Sequence, residues 1–299
     1  MRGVAHCGPT LVVAQIVVSR PTMKGWPRTN EPVSRHGGLL LAVFLILASV
    51  TQAADWPQYR GPNHDGGTPE NIRTDWAERP PQVLWRRAFE PGFSSVVASG
   101  GRLFTLVKRV AREHAVCLDA ATGAELWAVN LDRAQYTDLA GYSNHMDGPR
   151  STPSVDGDRV YVFTSYLKLY ALRADTGAVL WMRDFVAELG SAVIAWENAA
   201  SPLVLGDLIF LNSNAEGRRL MALNKTNGTT VWSSANDVTT HATPVPGRIH
   251  DTDQIIFLTR SGLVSVVPET GAALWRLLFT PSSTSTAASP VVAGDYVHA

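Results

Sequence analysis

Apolar and polar residues fall in short alternating runs along most of this chain, and the runs recur in the same order. Thr152-Pro153-Ser154-Val155-Asp156-Gly157-Asp158-Arg159-Val160-Tyr161-Val162-Phe163 and Ser201-Pro202-Leu203-Val204-Leu205-Gly206-Asp207-Leu208-Ile209-Phe210-Leu211 each place Gly-Asp between two apolar runs. That pair predicts a hairpin, because glycine takes the positive φ a tight turn needs. A third apolar run follows, at residues 115–119, 169–173, 220–224 and 263–267. After it come a Thr-Gly or Asn-Gly turn and a last run that carries a tryptophan. One unit therefore reads as strand, Gly-Asp turn, strand, loop, strand, Thr-Gly turn, and a strand ending in Trp. This is a four-stranded antiparallel meander.

The repeat is sharpest at its final turn. Thr122-Gly123-Ala124-Glu125-Leu126-Trp127 returns as Thr176-Gly177-Ala178-Val179-Leu180-Trp181 and as Thr270-Gly271-Ala272-Ala273-Leu274-Trp275, with Asn227-Gly228-Thr229-Thr230-Val231-Trp232 as a looser copy. Leu84-Trp85 matches the tail of a further copy. Successive tryptophans lie 42 to 54 residues apart, starting from Trp85. A period of this size signals an array of supersecondary units. Indoles suit the seams between neighbouring sheets, since each offers a large apolar face and one N–H donor. Small sheets joined radially through such seams make a β-propeller. A β-sandwich with incidental tryptophans does not account for four phased copies. The fold expected is all-β: a propeller of four-stranded antiparallel blades, incomplete, with about four full blades over 83–299 and a partial one at the end. Residues 288–297 open another unit without its third and fourth strands, so a truncated ring is expected.

Composition agrees with a globular β-domain. Apolar residues make up 45% and charged residues 17% of the chain, which excludes a disordered polypeptide. The formal net charge of zero offers no nucleic-acid surface. Ahead of the repeats, Leu39-Leu40-Leu41-Ala42-Val43-Phe44-Leu45-Ile46-Leu47 follows Lys24, Arg28 and Arg35 and precedes Thr51-Gln52-Ala53. A basic flank, a short apolar core and small residues at the cleavage positions make a secretory signal peptide, cut near Ala53 or Ala54. The run is short for a bilayer span, so no membrane span is expected after cleavage. Residues 1–54 are read as this leader. Met23-Lys24 is a more natural start than Met1, although the apolar segment around Leu11 to Val18 is also compatible with structure. Residues 55–82, rich in Pro, Gly and Asn, read as an irregular lead-in wrapping one face of the propeller. Cys7 leaves with the leader, and Cys117 falls at a buried strand position, where packing outweighs reactivity.

The run Ala-x-Asp-x-x-Thr-Gly-x-x-Leu-Trp resembles the repeat of the PQQ-like (pyrroloquinoline quinone repeat) β-propeller family, which includes quinoprotein alcohol dehydrogenases and the outer-membrane assembly factor BamB. Residues 117–127 match it with Cys117 in place of Ala, and residues 171–181 with Arg173 in place of Asp. Asp55-Trp56-Pro57-Gln58-Tyr59-Arg60-Gly61-Pro62 and Gly148-Pro149-Arg150-Ser151-Thr152-Pro153 look like exported bacterial members. The resemblance implies a periplasmic or envelope location and a protein partner. It departs from BamB in one respect: no Cys follows the apolar run of the leader.

Function is less legible, because one propeller hosts many activities. The favoured expectation is an exported, BamB-like binding or assembly scaffold with no cofactor and no catalytic residues. An alternative is a PQQ- and calcium-dependent dehydrogenase. The resemblance would then imply a stacking Trp, oxygen ligands to Ca²⁺ and a vicinal Cys pair, and the chain has no Cys-Cys. Glu197 and Asn198 are of the residue types that ligate calcium, and Trp196 could stack on a ring. A second alternative is a propeller binding carbohydrate or another small molecule in its channel. Arg150, Asn198 and His241 precede the first strands of successive units and so are expected to ring that channel. Satisfying backbone groups where those strands begin is the competing reading. Asn144-His145-Met146-Asp147 and Asn63-His64-Asp65 are too sparse for a catalytic zinc site and read as capped loops.

Overall fold

The computed structural model describes residues 10–15, 54–68, 70–136, 147–234, 237–280 and 286–299. The apolar run of the leader lies outside these residues, as do Asn144, His145 and Met146. Among the described residues β1 (Thr10–Gln15) pairs antiparallel with β2 (Gln82–Ala88). Blade one is β3 (Val97–Ser99), β4 (Arg102–Arg109), β5 (Arg112–Asp119) and β6 (Glu125–Arg133). Blade two is β7 (Ser154–Asp156), β8 (Arg159–Phe163), β9 (Lys168–Arg173) and β10 (Val179–Asp184). A short helix α1 (Phe185–Leu189) then leads to blade three, made of β11 (Leu203–Leu205), β12 (Leu208–Asn212), β13 (Leu220–Asn224) and β14 (Thr230–Ser234). Blade four is β15 (Val245–Ile249), β16 (Thr252–Thr259), β17 (Gly262–Val266) and β18 (Ala273–Leu278). Finally β19 (Val291–Ala293) and β20 (Tyr296–His298) form a two-stranded sheet. Each four-stranded sheet is a meander of sequential strands, as the repeat predicts, and the described residues form an arc that is not closed.

The tryptophan does not end its strand. Trp127, Trp181, Trp232 and Trp275 are each the third residue of a fourth strand that runs on beyond them. A bulge just before each indole reorients it. Leu118 faces Glu125 and Cys117 faces Trp127, so Leu126 is unpaired; Leu180, Val231 and Leu274 are passed over in the same way. The extra residue breaks the alternation of sides, so the aliphatic and the indole after it no longer take the faces simple period two would give. The indole then covers the Thr-Gly turn of the following blade. At Gly177 (φ +73°) an added Cβ would lie 2.8 Å from the Trp127 ring. The same closeness joins Trp85 to Gly123, Trp181 to Gly228 and Trp232 to Gly271. Glycine is required there twice over, by the left-handed backbone and by the ring above it. Each of these indole N–H groups donates to a carbonyl in the same turn: Ala120 (3.0 Å), Ala174 (3.0 Å), Lys225 (3.3 Å) and Pro268 (2.7 Å). Trp275 instead bonds Gln254 Oε1 of its own blade, at 2.7 Å.

A second set of ties runs along the inner rim and explains the Ser/Thr-Pro motif. The amide of Ser95 donates to Thr152 Oγ1 (3.2 Å), that of Thr152 to Ser201 Oγ (2.9 Å), that of Ser201 to Thr243 Oγ1 (2.9 Å), and that of Thr243 to Ser289 Oγ (3.0 Å). Each blade thus satisfies a backbone donor of the one before it. Between these inner and outer ties the apolar core is divided into seams. Phe104, Cys117 and Trp127 of blade one pack with Val160 and Leu172 of blade two. Tyr161, Leu169 and Phe185 pack with Ile209 and Leu223. Phe210 and Trp232 pack with Ile255 and Val264. Cys117 lies in the first seam as a packed thiol, its pKa pushed up to about 12 by burial.

Two further features were not given by the strand repeat. Residues 56–60 of the lead-in run along the innermost strands. Trp56 and Ala98 exchange backbone hydrogen bonds (2.8 and 2.9 Å), Pro57 O accepts from Val155 N (2.7 Å), and Arg60 reaches Pro290 O (3.3 Å). Unpaired innermost edges need partners, and the lead-in supplies some of them in blades one and two. Helix α1 was not anticipated from the strand repeat. Asp184 caps it by accepting from Ala187 N (3.0 Å), Gly190 closes it in the left-handed conformation, and Phe185 anchors it edge-on against Phe163. No helix among the described residues is long and apolar enough to cross a membrane.

Candidate functional site

The connections between blades and the β4–β5 and β8–β9 hairpins meet on one face of the arc, opposite the Thr-Gly turns. There the structure brings together Arg150, Glu197 and His241, three of the residues singled out above. Arg150 precedes β7, and its guanidinium is gripped by both oxygens of Asp147 (2.8 and 2.9 Å). Its other arm faces Glu197 Oε2 at 3.6 Å, and the rings of Phe93 and Tyr136 lie 5.7 and 5.6 Å from its centre. Two carboxylates and two aromatic faces around one guanidinium form a largely desolvated clamp.

Backbone strain delivers Glu197 to this place. Trp196 (φ +68°) and Glu197 (φ +53°) are consecutive non-glycine residues in the left-handed region, which costs of order 1–3 kcal/mol each. Trp196 remains half-buried, whereas Glu197 is 2% exposed. His241 is buried beside them and its Nε2 lies 3.1 Å from Ala195 O. Burial lowers the His241 pKa and the Arg150 charge adds to that, against the raising effect of the backbone at Ala195 and Glu197 and the Glu197 charge.

Asn198 is differently placed. Its amide donates to the carbonyls of Phe163 (3.4 Å), Thr164 (3.3 Å) and Ala200 (3.1 Å), and its oxygen accepts from Ala200 N (3.1 Å). Both ends of the side chain are thereby engaged in holding the start of blade three. The donor set does not fit calcium: the Asn198 oxygen is committed to an amide, and Glu197 faces a guanidinium that would repel a dication. Among the described residues no group of three or more His, Cys, Asp or Glu could hold a metal ion.

Sequence reasoning missed a buried acid behind the clamp. Glu113 of β5 is fully buried, accepting from Tyr136 Oη (2.7 Å) and from Ser165 N (3.2 Å). Burial raises its pKa, with hydrogen bonds from Ser165 and Tyr136 opposing the shift. The tyrosine hydroxyl is pushed up in turn, by burial and then by the charge of Glu113. The available signal was a carboxylate two residues before the apolar stretch of β5. Asp147, read as part of a capped loop, holds Arg150. The Asn63-His64-Asp65 turn is local: Asp65 caps Gly67 N at 2.7 Å, and burial takes the His64 pKa down to about 4.

A family model described as outer membrane protein assembly factor BamB matches residues 111–299. The chain is 28% identical over 194 residues to the outer membrane protein assembly factor BamB of Moranella endobia (strain PCIT), covering 61% of this chain and 46% of that protein. It therefore spans about half the length of that relative. Among solved structures, a europium-containing methanol dehydrogenase aligns with a TM-score of 0.52 at 12% identity, over 69% of this chain and 46% of the other. BamB from Moraxella catarrhalis aligns with a TM-score of 0.40 at 16% identity, over 67% of this chain and 69% of the other. At these identities the likeness to the dehydrogenase is one of fold alone.

Proposed function

Because the chain belongs to the PQQ-like propeller family described as outer membrane protein assembly factor BamB, we propose that it is an exported scaffold that binds another protein during outer-membrane protein assembly. One observation carries this reading. The outermost strand of every four-stranded blade is hydrogen-bonded on one side only, and each presents a bulged aliphatic that is 40–49% exposed: Leu126, Leu180, Val231 and Leu274. Open strand edges beside exposed aliphatics offer a partner main-chain hydrogen bonds together with apolar contact.

The polar cluster of Arg150, Asp147 and Glu197 supports the same reading. Its charges are committed to one another, and Asn198 is committed to backbone, so these groups act as braces for the connections they join. A PQQ and calcium site is disfavoured by the guanidinium beside Glu197. Channel binding of a carbohydrate is disfavoured because the lead-in at Trp56 to Arg60 already pairs with the innermost strands. We read residues 1–54 as the export leader, and on that reading the partner is one of the periplasm or envelope.

The test is a photo-cross-linking amino acid placed in turn at Leu126, Leu180, Val231 and Leu274 in cells of a bacterium that expresses the protein. The expected result is a discrete adduct with a component of the outer-membrane protein assembly machinery from at least one position. Absence of any such adduct from all four, with the protein exported and folded, overturns the proposal.

A further inference from the structure

The seam between blades three and four is built differently from the others. In blades one to three the residue after the third strand ties its amide to the first hairpin: Ala120 N to Gly101 O (3.0 Å), Ala174 N to Asp158 O (2.8 Å) and Lys225 N to Asp207 O (2.9 Å). Blade four has Pro268 at that position, and proline has no N–H to give. The opposite wall also differs from that of the seam before it, although the first seam likewise has a phenylalanine, Phe104, at the place of Tyr161. Across the seam from blade two to blade three, Arg159 Nη1 reaches Thr226 O (2.8 Å) and Tyr161 Oη reaches Lys225 O (3.1 Å). In blade three the residues at the same register positions are Leu208 and Phe210, which cannot make those bonds.

The consequence is a cleft of about 710 Å³ on the turn face, with Leu208, Phe210, Pro246 and Pro268 as its apolar floor. Its mouth carries Asp207, Asp253 and Glu269, all exposed. Two cations stand near it. Arg248 is held by Asp253 (3.0 Å) and Asp251 (3.6 Å), and Lys225 lies 2.6 Å from Asp156 and 3.8 Å from Asp207, so carboxylates remain in excess around the mouth. An apolar floor of this volume is of the size that takes one or two large side chains, and a net acidic mouth favours positive charge next to them.

We infer that this cleft binds a short polypeptide segment in which a large apolar side chain is flanked by lysine or arginine. The inference is independent of the scaffold reading, because the cleft lies on the turn face between two blades and the cross-links are read at the outer strands. Full-length protein is titrated by calorimetry with the N-acetylated peptide amide Lys-Leu-Phe-Lys, and separately with Glu-Leu-Phe-Glu. The basic peptide is expected to bind saturably and at least tenfold more tightly than the acidic one. Leu208→Arg, which would send a guanidinium across the cleft as Arg159 does in its own seam, is expected to weaken the basic peptide at least tenfold. Glu269→Lys, an exposed change that leaves the core intact, is expected to weaken it at least fivefold, and it decides the matter if Leu208→Arg does not fold. No saturable binding of the basic peptide overturns the inference. So does equal affinity for the two peptides, or unchanged affinity in Glu269→Lys.

Discussion

Two glycines of blade two separate the contribution of the indole clamp from that of backbone geometry. Gly177 (φ +73°) lies under Trp127, whereas Gly157 (φ +59°) has nothing within 4 Å of an added Cβ. Replacing either by alanine forces a left-handed alanine, about 1–2 kcal/mol. Either also reduces the freedom of the unfolded chain by a similar amount, worth about 0.4–1 kcal/mol in the opposite direction. These contributions largely cancel in the comparison. What remains at Gly177 is a methyl group 2.8 Å from the Trp127 ring and 2.7 Å from Val129 Cγ2, inside a seam that also holds the indole N–H bond to Ala174 O. Overpacking of this kind costs about 1–3 kcal/mol. At about 2–4 °C per kcal/mol for a domain of this size, Gly177→Ala is expected to melt roughly 2–12 °C below Gly157→Ala. Thermal unfolding followed by far-ultraviolet circular dichroism gives the midpoints, and tryptophan fluorescence reports the seam. Equal midpoints for the two variants would refute the clamp as the reason for the glycine.

Two further outcomes are expected. Ser201→Ala removes the acceptor of the buried Thr152 amide and is expected to lower stability by about 1–3 kcal/mol in urea unfolding; a change under 0.3 kcal/mol would show that the inner-rim hydroxyls do not bind the blades together. The folded state disfavours the charged form of His241, so its contribution to stability is complete above the ordinary histidine pKa of about 6.5 and falls as pH drops through that value. Midpoints measured between pH 7 and pH 5 should therefore slope downward with acidification, and His241→Gln should flatten the slope.

The sequence determined the four-stranded unit, its turns, and the recurrence of a glycine and an indole at each final turn; which indole covers which glycine was decided across the seams. The unit and its turns follow from period-two alternation and from short-range requirements within a few residues, such as positive φ at Gly123, Gly177, Gly228 and Gly271. The sequence also placed Arg150, Asn198 and His241 at comparable points of successive units, and the structure brings Arg150 and His241 together with Glu197, the residue before Asn198. Only the tertiary structure decided that Leu126, Leu180, Val231 and Leu274 bulge outward, that Asn198 is bound up by three carbonyls, and that Glu113 stands behind the clamp. It alone opened the cleft at Leu208 and Pro268, and it led the lead-in along the innermost strands. The physical reason is range. Apart from the bulges, these outcomes depend on which groups meet from residues far apart in the chain, from 23 positions for Glu113 and Tyr136 to 230 for Arg60 and Pro290. That is settled by blade packing and by which backbone groups remain to be satisfied.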